Sequence, residues 1–319
     1  MHQPLKLFSL LLVLLLGGCA APLRLPPEVT GLPERVELVE VPFFPQQEYQ
    51  CGPAALATML GQREIMTTPG QLKERVFLPG RQGSLQVELV AAARQHGMLV
   101  YPLDAQLDAI LAEVAAGNPV LVLQNLAFSW YPRWHFAVIV GYDRAEQQLI
   151  LRSGITKRWI TDFASFDATW ARGGRWAVLT LPPDTLPARV QLQPWLQAAA
   201  DLEQTAQMDA ASQAYASAVQ RWPQDGLAWF ALGNARYAMA DTRTAQAAFL
   251  RSLELEPSLA PGWSNLAHVL AEHGCAAQAE QALRCARVLA PDEARFLRSL
   301  PTQGHSSALC AALPACPRG

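Results

Sequence analysis

The second half of the chain repeats a pattern at intervals of 34 residues. Four kinds of position recur at this spacing in three copies: Trp195, Trp229 and Trp263; Ala211, Ala245 and Ala279; Tyr215, Phe249 and Leu283; and Pro223, Pro257 and Pro291. Agreement of four columns over three copies makes chance a remote explanation. A period of this length is typical of stacked supersecondary units, none of which can bury its apolar face alone. The second half is therefore restricted to a repeat architecture built from neighbouring copies.

This pattern resembles the tetratricopeptide (TPR) repeat, which contains one pair of helices in each unit. The middle copy matches best, at five sites: Trp229, Leu232-Gly233, Ala245, Phe249 and Pro257. The first copy has Ala198-Ala199 where Leu-Gly is expected, and terminal repeats are often atypical. The resemblance implies three repeats over residues 192–293 and a tail over 294–319. It also implies a concave face that binds a protein partner; mere support of the other domain is the alternative.

The N-terminal segment has the composition of a secretory signal. Lys6 precedes an apolar run from Leu7 to Leu16, which is shorter than the ~20 residues needed to span a bilayer. The run ends in Leu16-Gly17-Gly18-Cys19, which resembles the bacterial lipobox; ordinary cleavage near Ala20 is the alternative. The resemblance implies a signal peptide over residues 1–18, a lipidated Cys19 and an extended tether over 19–35. Since Ala rather than Asp follows the cysteine, it also favours the periplasmic face of the outer membrane.

The rest of the chain divides at a proline-rich stretch. Residues 36–181 alternate short apolar strands with amphipathic helices, whereas residues after 192 are rich in Ala, Gln, Leu and Arg at a helical period. The stretch 182–191 would be a linker, and its three prolines are Pro182, Pro183 and Pro187. The chain is 51% hydrophobic and carries a net charge of −2, so it can form packed cores but lacks the basic excess that nucleic acids require.

A stretch that can carry chemistry surrounds Cys51 in the first domain. Pro53 and the run Ala54–Leu60 predict a helix that begins at this cysteine, because proline fits the first turn of a helix. A helix N-terminus stabilises an anion, so we expect the pKa of the thiol to fall. The peptide N–H groups there also suit an oxyanion, together with the side-chain amide of Gln46 or Gln47.

A cysteine nucleophile needs a base, and the six histidines leave two candidates. The other four lie in the signal, the repeats or the tail: His2, His268, His273 and His305. His96 precedes Gly97 at a predicted helix end, where a histidine usually has a capping role. His135 begins an apolar run that predicts a strand, and its combination with Cys51 makes it the base candidate.

The two stretches together resemble the C39 family of papain-like cysteine peptidases. The matching motifs are Gln-x-x-x-x-Cys-Gly-Pro-Ala-Ala-Leu, which begins at Gln46, and His-Phe-Ala-Val-Ile-Val-Gly-Tyr, which begins at His135. The resemblance covers residues 36–181. It implies an α+β papain-like peptidase domain, followed here by an all-α TPR solenoid. Cys51 would be the nucleophile, His135 the general base, and an upstream glutamine part of the oxyanion hole.

One position departs from the family pattern. The orienting aspartate that the family has on the next strand is missing, because the corresponding stretch Leu149–Gly154 contains no carboxylate. A hairpin would place Ser153 or Gly154 near His135, whereas Asp143 lies about 26 Å along the strand. We therefore expect Ser153 to orient the imidazole through its hydroxyl or its backbone.

These motifs predict a lipid-anchored cysteine peptidase of the bacterial envelope, whose repeats recruit a protein partner or a peptide substrate. Because the carboxylate is missing, a catalytically weak or inactive peptide-binding lipoprotein is the alternative. A transferase or amidase that uses the same cysteine and histidine is a third possibility. No motif for a metal or an organic cofactor is present, so we expect neither.

Four further cysteines lie toward the C-terminus. Cys275 and Cys285 fit buried small residues of the third repeat, although each could instead pair with the other or with the tail. Cys310 and Cys316 are six residues apart, and we expect a local disulfide between them.

Overall fold

The computed structural model of the chain describes residues 31–46, 49–297, 300, 310 and 312–317. The predicted signal peptide, the lipidation site Cys19, the tether up to residue 30 and Gln47 lie outside these residues. In the part of the chain that is described, no helix has the length and the apolar composition needed to cross a bilayer.

An antiparallel sheet forms the centre of the N-terminal domain. In the described residues it has seven strands: β1 Arg35–Glu37, β2 Leu99–Pro102, β3 Val120–Asn125, β4 Trp134–Asp143, β5 Gln148–Ser153, β6 Thr156–Asp162 and β7 Ala177–Leu181. Their order is β2-β7-β3-β4-β5-β6, and β1 pairs with the last residues of β4. The central strand β4 is therefore hydrogen-bonded to both β3 and β5.

Helices cover both faces of this sheet: α1 Cys51–Gly61, α2 Pro69–Val76, α3 Gln86–Gln95, α4 Leu107–Ala115 and α5 Phe163–Arg172. Alternate residues of β4 belong to two apolar clusters. Phe136 and Val138 pack in the cluster of α1–α3, whereas Ala137 and Ile139 pack in that of α4 and α5. Because both faces are covered, β4 is apolar at nearly every position. The predicted α+β domain is confirmed.

The C-terminal half consists of consecutive helices: α6 Leu192–Gln204, α7 Met208–Arg221, α8 Gly226–Ala238, α9 Thr242–Leu255, α10 Ala260–Glu272 and α11 Ala276–Leu289. Each of them packs against the next one along the chain. This arrangement is consistent with an all-α solenoid, which is the predicted fold class.

Recurrent residues make recurrent contacts in these helices. The indole N–H of Trp229 donates to the carbonyl of Pro223 (3.0 Å), and that of Trp263 donates to Pro257 (2.8 Å), one repeat later. Trp195 in the divergent first copy donates instead to Ala214 (2.8 Å). At Gly233 a Cβ atom would lie 2.6 Å from the ring of Phe249. Glycine at this position therefore lets α8 and α9 approach closely.

The segment 182–191 is packed against the N-terminal domain. The buried carboxylate of Glu113 in α4 accepts hydrogen bonds from the backbone N–H groups of Ala188 and Arg189, both at 3.2 Å. The hydroxyl of Tyr101 accepts one from the N–H of Gln191, and its ring lies 6.4 Å from that of Trp195. One apolar cluster extends from the sheet into α6, α7 and α8. The segment therefore fixes the helices against the sheet instead of separating two independent bodies.

Two disulfides attach the C-terminal tail to the last helices. They join Cys275 to Cys310 and Cys285 to Cys316, across 35 and 31 residues. The expected local bond between Cys310 and Cys316 is thus wrong. Cys275 and Cys285 are buried, as expected for the third repeat, but they pair with the tail, which was the alternative. Because the tail returns to α11, Cys310 and Cys316 each lie beside a different cysteine of the third repeat.

Candidate active site

The candidate nucleophile Cys51 is the first residue of α1. Its side chain is partly buried, and backbone N–H groups of Phe136, Gly52 and Cys51 itself favour the thiolate. Burial outweighs these hydrogen bonds and raises the pKa of the thiol above its ordinary value. The expected lowering by the helix N-terminus is therefore wrong, because loss of hydration costs the thiolate more than the peptide dipoles return.

The residues after Cys51 explain why the helix can start there. At Gly52 a Cβ atom would lie 2.6 Å from both Cβ and Oγ of Ser84, so only glycine allows the loop Gly83–Leu85 to pack against this helix end. Pro53 occupies the first turn, where the missing N–H removes no hydrogen bond of the helix. Close packing against Ser84 therefore explains the glycine, and the start of the helix explains the proline.

The candidate base His135 is the second residue of β4 and is only 9% exposed. Its Nε2 atom lies 2.8 Å from Oγ of Ser153, at the end of β5. The other ring nitrogen, Nδ1, has no hydrogen-bond partner among the residues described here. Burial, assisted by the positive charge of Arg133, lowers the pKa of His135 to about 4. The imidazole is therefore neutral at pH 7.

Gln46 lies in the segment that precedes α1. Its backbone N–H donates to the carbonyl of Gly154 (3.1 Å), and it lines the same cleft as Cys51. The alternative, Gln47, lies outside the described residues. The geometry is therefore compatible with a side-chain amide from Gln46 beside the nucleophile.

The buried guanidinium of Arg152 attaches the segment before α1, at Leu38–Val41, to the sheet. It donates to the carbonyl oxygens of Val41 (3.2 Å) and Lys157 (2.8 Å), with longer contacts of 3.4 Å to Leu38 and Val39. Since Arg152 immediately precedes Ser153 on β5, one strand end holds both the imidazole and the segment that leads to Gln46.

All four predicted residues line one cleft of about 1330 Å³: Gln46, Cys51, His135 and Ser153. A hairpin loop between β3 and β4 forms one wall of this cleft, and Asn125 holds the loop in place. The side-chain oxygen of Asn125 accepts hydrogen bonds from the N–H groups of Ala127 (3.0 Å) and Arg133 (2.9 Å), and its amide donates to the carbonyl of Phe128 (3.2 Å). The loop thus presents a fixed set of aromatic side chains beside His135.

Sequence reasoning missed Gln124 and Thr169, two polar residues that line the cleft. Gln124 pairs directly with His135 across β3 and β4, and its amide donates to Oγ1 of Thr169 in α5 at 2.6 Å. The available signal was a polar pair, Gln124-Asn125, at the end of an otherwise apolar strand.

Within the described residues no group of three or more His, Cys, Asp or Glu could hold a metal ion.

The N-terminal domain is similar to a known protein family. Residues 38–178 match the model of the family described as Peptidase_C39 like. This part of the chain is therefore similar to C39-like domains. No match is found among the curated proteins.

Three solved structures that are similar to the chain are described as peptidases or proteases. A protein assigned as a C39-like peptidase from Bacillus anthracis is 18% identical, with a TM-score of 0.40, over 47% of this chain and 98% of that one. The peptidase domain of the Streptococcus ABC transporter ComA is 21% identical, with a TM-score of 0.36, over 44% and 99%. A double-glycine-motif protease from an AMS/PCAT transporter, solved with a leader peptide, is 19% identical, with a TM-score of 0.32, over 44% and 90%.

Proposed function

We propose that the chain is a cysteine peptidase that cleaves peptide bonds through Cys51 and His135. The observation that carries this proposal is the hydrogen bond of 2.8 Å between Nε2 of His135 and Ser153, in the cleft that Cys51 also lines. This bond occupies Nε2, so in this proposal Nδ1 receives the thiol proton. A C39-like domain with these residues in one cleft supports the peptidase chemistry.

In this mechanism Nδ1 of His135 takes the proton of the Cys51 thiol while the sulfur attacks the peptide carbonyl. The backbone N–H of Cys51 and the side-chain amide of Gln46 donate hydrogen bonds to the oxyanion of the tetrahedral intermediate. The C–N bond then breaks as His135 returns the proton to the leaving amine, which leaves a thioester. Water, deprotonated by His135, cleaves the thioester and restores the thiol.

Ser153 acts as a positioning residue in this proposal. Its hydroxyl holds the imidazole ring in place, but it carries no negative charge to stabilise the imidazolium that forms during catalysis. Cys51 and His135 are therefore neutral at rest, and the proton moves only as the carbonyl is attacked.

We further propose that the chain is lipidated at Cys19 and faces the periplasm from the outer membrane. The lipobox-like sequence that ends at Cys19 supports this location. The two disulfides of the C-terminal half also support it, because disulfides persist in oxidising compartments such as the bacterial periplasm.

The helices α6–α11 are proposed to be three TPR repeats that recruit a protein partner or a substrate. Their 34-residue sequence period and the repeated contacts of Trp229 and Trp263 support this assignment. Because α6 shares an apolar cluster with the sheet, a partner held by the helices would have a fixed position relative to the cleft.

A second candidate function is peptide binding by a catalytically weak or inactive site. The raised pKa of the Cys51 thiol and the lowered pKa of His135 favour this candidate, because both shifts oppose a thiolate–imidazolium pair. The absence of a carboxylate from the stretch Leu149–Gly154 favours it as well.

Alkylation of Cys51 separates the two candidates. The full-length chain, purified in a non-ionic detergent, is treated with iodoacetamide between pH 5 and 10, and mass spectrometry follows the peptide that contains Cys51. A peptidase site predicts a rate that falls at least about tenfold in His135→Ala. The matched control His268→Ala, in α10, is expected to keep the original rate. A rate that is indifferent to His135 would overturn the peptidase proposal and favour the binding function.

A further inference from the structure

The charge of the cleft is one-sided. The charged side chains among its described lining residues are those of Arg81 and Arg133, and no described carboxylate lines it. Both arginines are exposed, and neither forms an ion pair with any residue in the described ranges. Other arginines do pair with carboxylates: Arg35, Arg94, Arg158, Arg175, Arg189, Arg236, Arg251, Arg284 and Arg295. Within the described residues, the cleft thus leaves two cations without a carboxylate partner.

Both arginines lie on walls next to the candidate catalytic residues. Arg81 ends the turn Pro79–Arg81, just before the loop Gly83–Leu85 that packs against Gly52 at the start of α1. Arg133 lies two residues before His135, and the hydrogen bond from its N–H to Asn125 fixes its backbone (2.9 Å). The cleft that contains Cys51 therefore has one arginine on the α1 wall and one on the hairpin wall.

Large apolar side chains accompany these cations. Tyr131, Trp134 and Trp159 line the same cleft, and each remains at least half exposed. Exposed aromatic side chains beside arginine are typical of surfaces that bind another chain. A guanidinium binds a carboxylate through charge-assisted and often bidentate hydrogen bonds, whereas an aromatic ring favours an apolar side chain.

We propose that this cleft selects peptides that present a carboxylate, flanked by a large apolar side chain, within a few residues of the bond at Cys51. The inference rests on the proposed function for the position of the scissile bond, whereas the binding preference itself does not require catalysis. The carboxylate can come from an Asp or Glu side chain or from the C-terminus of the peptide.

Such a ligand would also change the chemistry of the site. The charge of Arg133 disfavours a proton on His135. A carboxylate bound to Arg133 offsets that charge, which favours transfer of the proton from Cys51 to His135. An acidic peptide would therefore increase the rate of the chemical step in addition to binding more tightly.

Binding is tested with the full-length Cys51→Ala variant in a non-ionic detergent. The probes are decapeptides with an acetylated N-terminus, an amidated C-terminus and a neutral fluorophore, in which one Glu and one neighbouring Phe are moved through a Gly/Ser background. Each has a partner with Gln in place of Glu, and a further set has free C-termini. Fluorescence anisotropy at low and high salt gives the affinities.

The Glu peptides are expected to bind about fivefold more tightly than their Gln partners at one or two positions, with a smaller difference at high salt. If the terminal carboxylate is the group recognised, the preference appears only in the set with free C-termini. Arg81→Gln and Arg133→Gln are expected to reduce the preference, and Arg221→Gln, an exposed arginine at the end of α7, is the matched control. Glu48 lies outside the described residues but next to Tyr49, which lines the cleft. The variant Glu48→Gln is therefore included to test whether this carboxylate affects binding, and it is expected to keep the preference for Glu peptides.

Equal affinities for the Glu and Gln peptides would overturn the inference, as would a preference that survives in the Arg81/Arg133 double variant. Absence of binding by every peptide at 1 mM (a ~4 kcal/mol limit) would also overturn it. Failure of the proposed function is a different result, because a peptide-binding protein without activity would still show the preference in the Cys51→Ala background.

Discussion

Nε2 of His135 lies 2.8 Å from the hydroxyl oxygen of Ser153, a group that carries no negative charge. The hydroxyl can orient the ring, but it cannot compensate the positive charge of an imidazolium. Burial and the charge of Arg133 lower the pKa of His135, so the imidazole is neutral at rest.

Replacement of Ser153 by aspartate is expected to make the site more reactive. In Ser153→Asp a carboxylate would face Nε2, raise the pKa of His135 and favour the thiolate of Cys51. We expect alkylation of Cys51 at pH 6 to become about tenfold faster, with an acid limb in its pH profile that follows His135. Ser165→Asp adds the same charge elsewhere in the cleft and is the control. If both variants react at the original rate, the orienting role of Ser153 is wrong.

The stability of the protein is expected to depend on the protonation of His135. Its pKa is about 4 in the folded chain and about 6.5 when unfolded, so the unfolded state binds the proton more tightly. Stability is therefore lost as the pH falls from about 6.5 to 4, by up to about 3 kcal/mol. Urea unfolding at several pH values should give a shallower dependence for His135→Gln. Cys51→Ser, which removes no group that titrates in this range, should keep the original slope.

The disulfides are expected to stabilise the C-terminal helices. Each closes a loop of more than 30 residues, and its loss should reduce the free energy of unfolding by roughly 3–4 kcal/mol. The paired variants Cys275→Ser/Cys310→Ser and Cys285→Ser/Cys316→Ser test this by urea denaturation. Cys51→Ser is the control, because Cys51 is not in a disulfide.

Peptide mapping of the non-reduced chain tests the pairing directly. We expect fragments that link Cys275 with Cys310 and Cys285 with Cys316. A fragment that links Cys310 with Cys316 would contradict the arrangement of the tail.

The segment 182–191 is expected to pack less firmly against the N-terminal domain when Glu113 is replaced. Glu113→Ala leaves the N–H groups of Ala188 and Arg189, and the amide of Asn118, without their acceptor. Each lost hydrogen bond costs about 0.5–1.5 kcal/mol, so the segment should detach more often. Limited digestion with trypsin should then cut after Arg189 several times faster. Glu254→Ala, which removes an exposed carboxylate of α9, should digest at the original rate.

Local sequence patterns were sufficient for the elements of the site. Cys51 begins a helix because glycine and proline follow it, and His135 begins a strand because an apolar run follows it. The 34-residue period likewise predicted consecutive helices after residue 192. In these cases the residues that decide the structure are neighbours in the sequence.

Other features depend on residues that are far apart along the chain. Gln124 reaches the cleft only because β3 pairs with β4, and the tail reaches Cys275 and Cys285 only because it returns to the last helices. The raised pKa of Cys51 is of the same kind, since its burial depends on the sheet and on the loop that carries Ser84.

The two architectures, and the cysteine and histidine on which the proposed chemistry depends, could be predicted from the sequence. These follow from periodicity and from the conformational preferences of neighbouring residues, which act over a few residues. Three features depend instead on the tertiary structure: the proline-rich segment binds Glu113, Ser153 contacts His135, and two arginines that form no ion pair with any described residue line the cleft. Each of these depends on strand register and long-range packing, because burial and charge act between groups that the fold brings together in space.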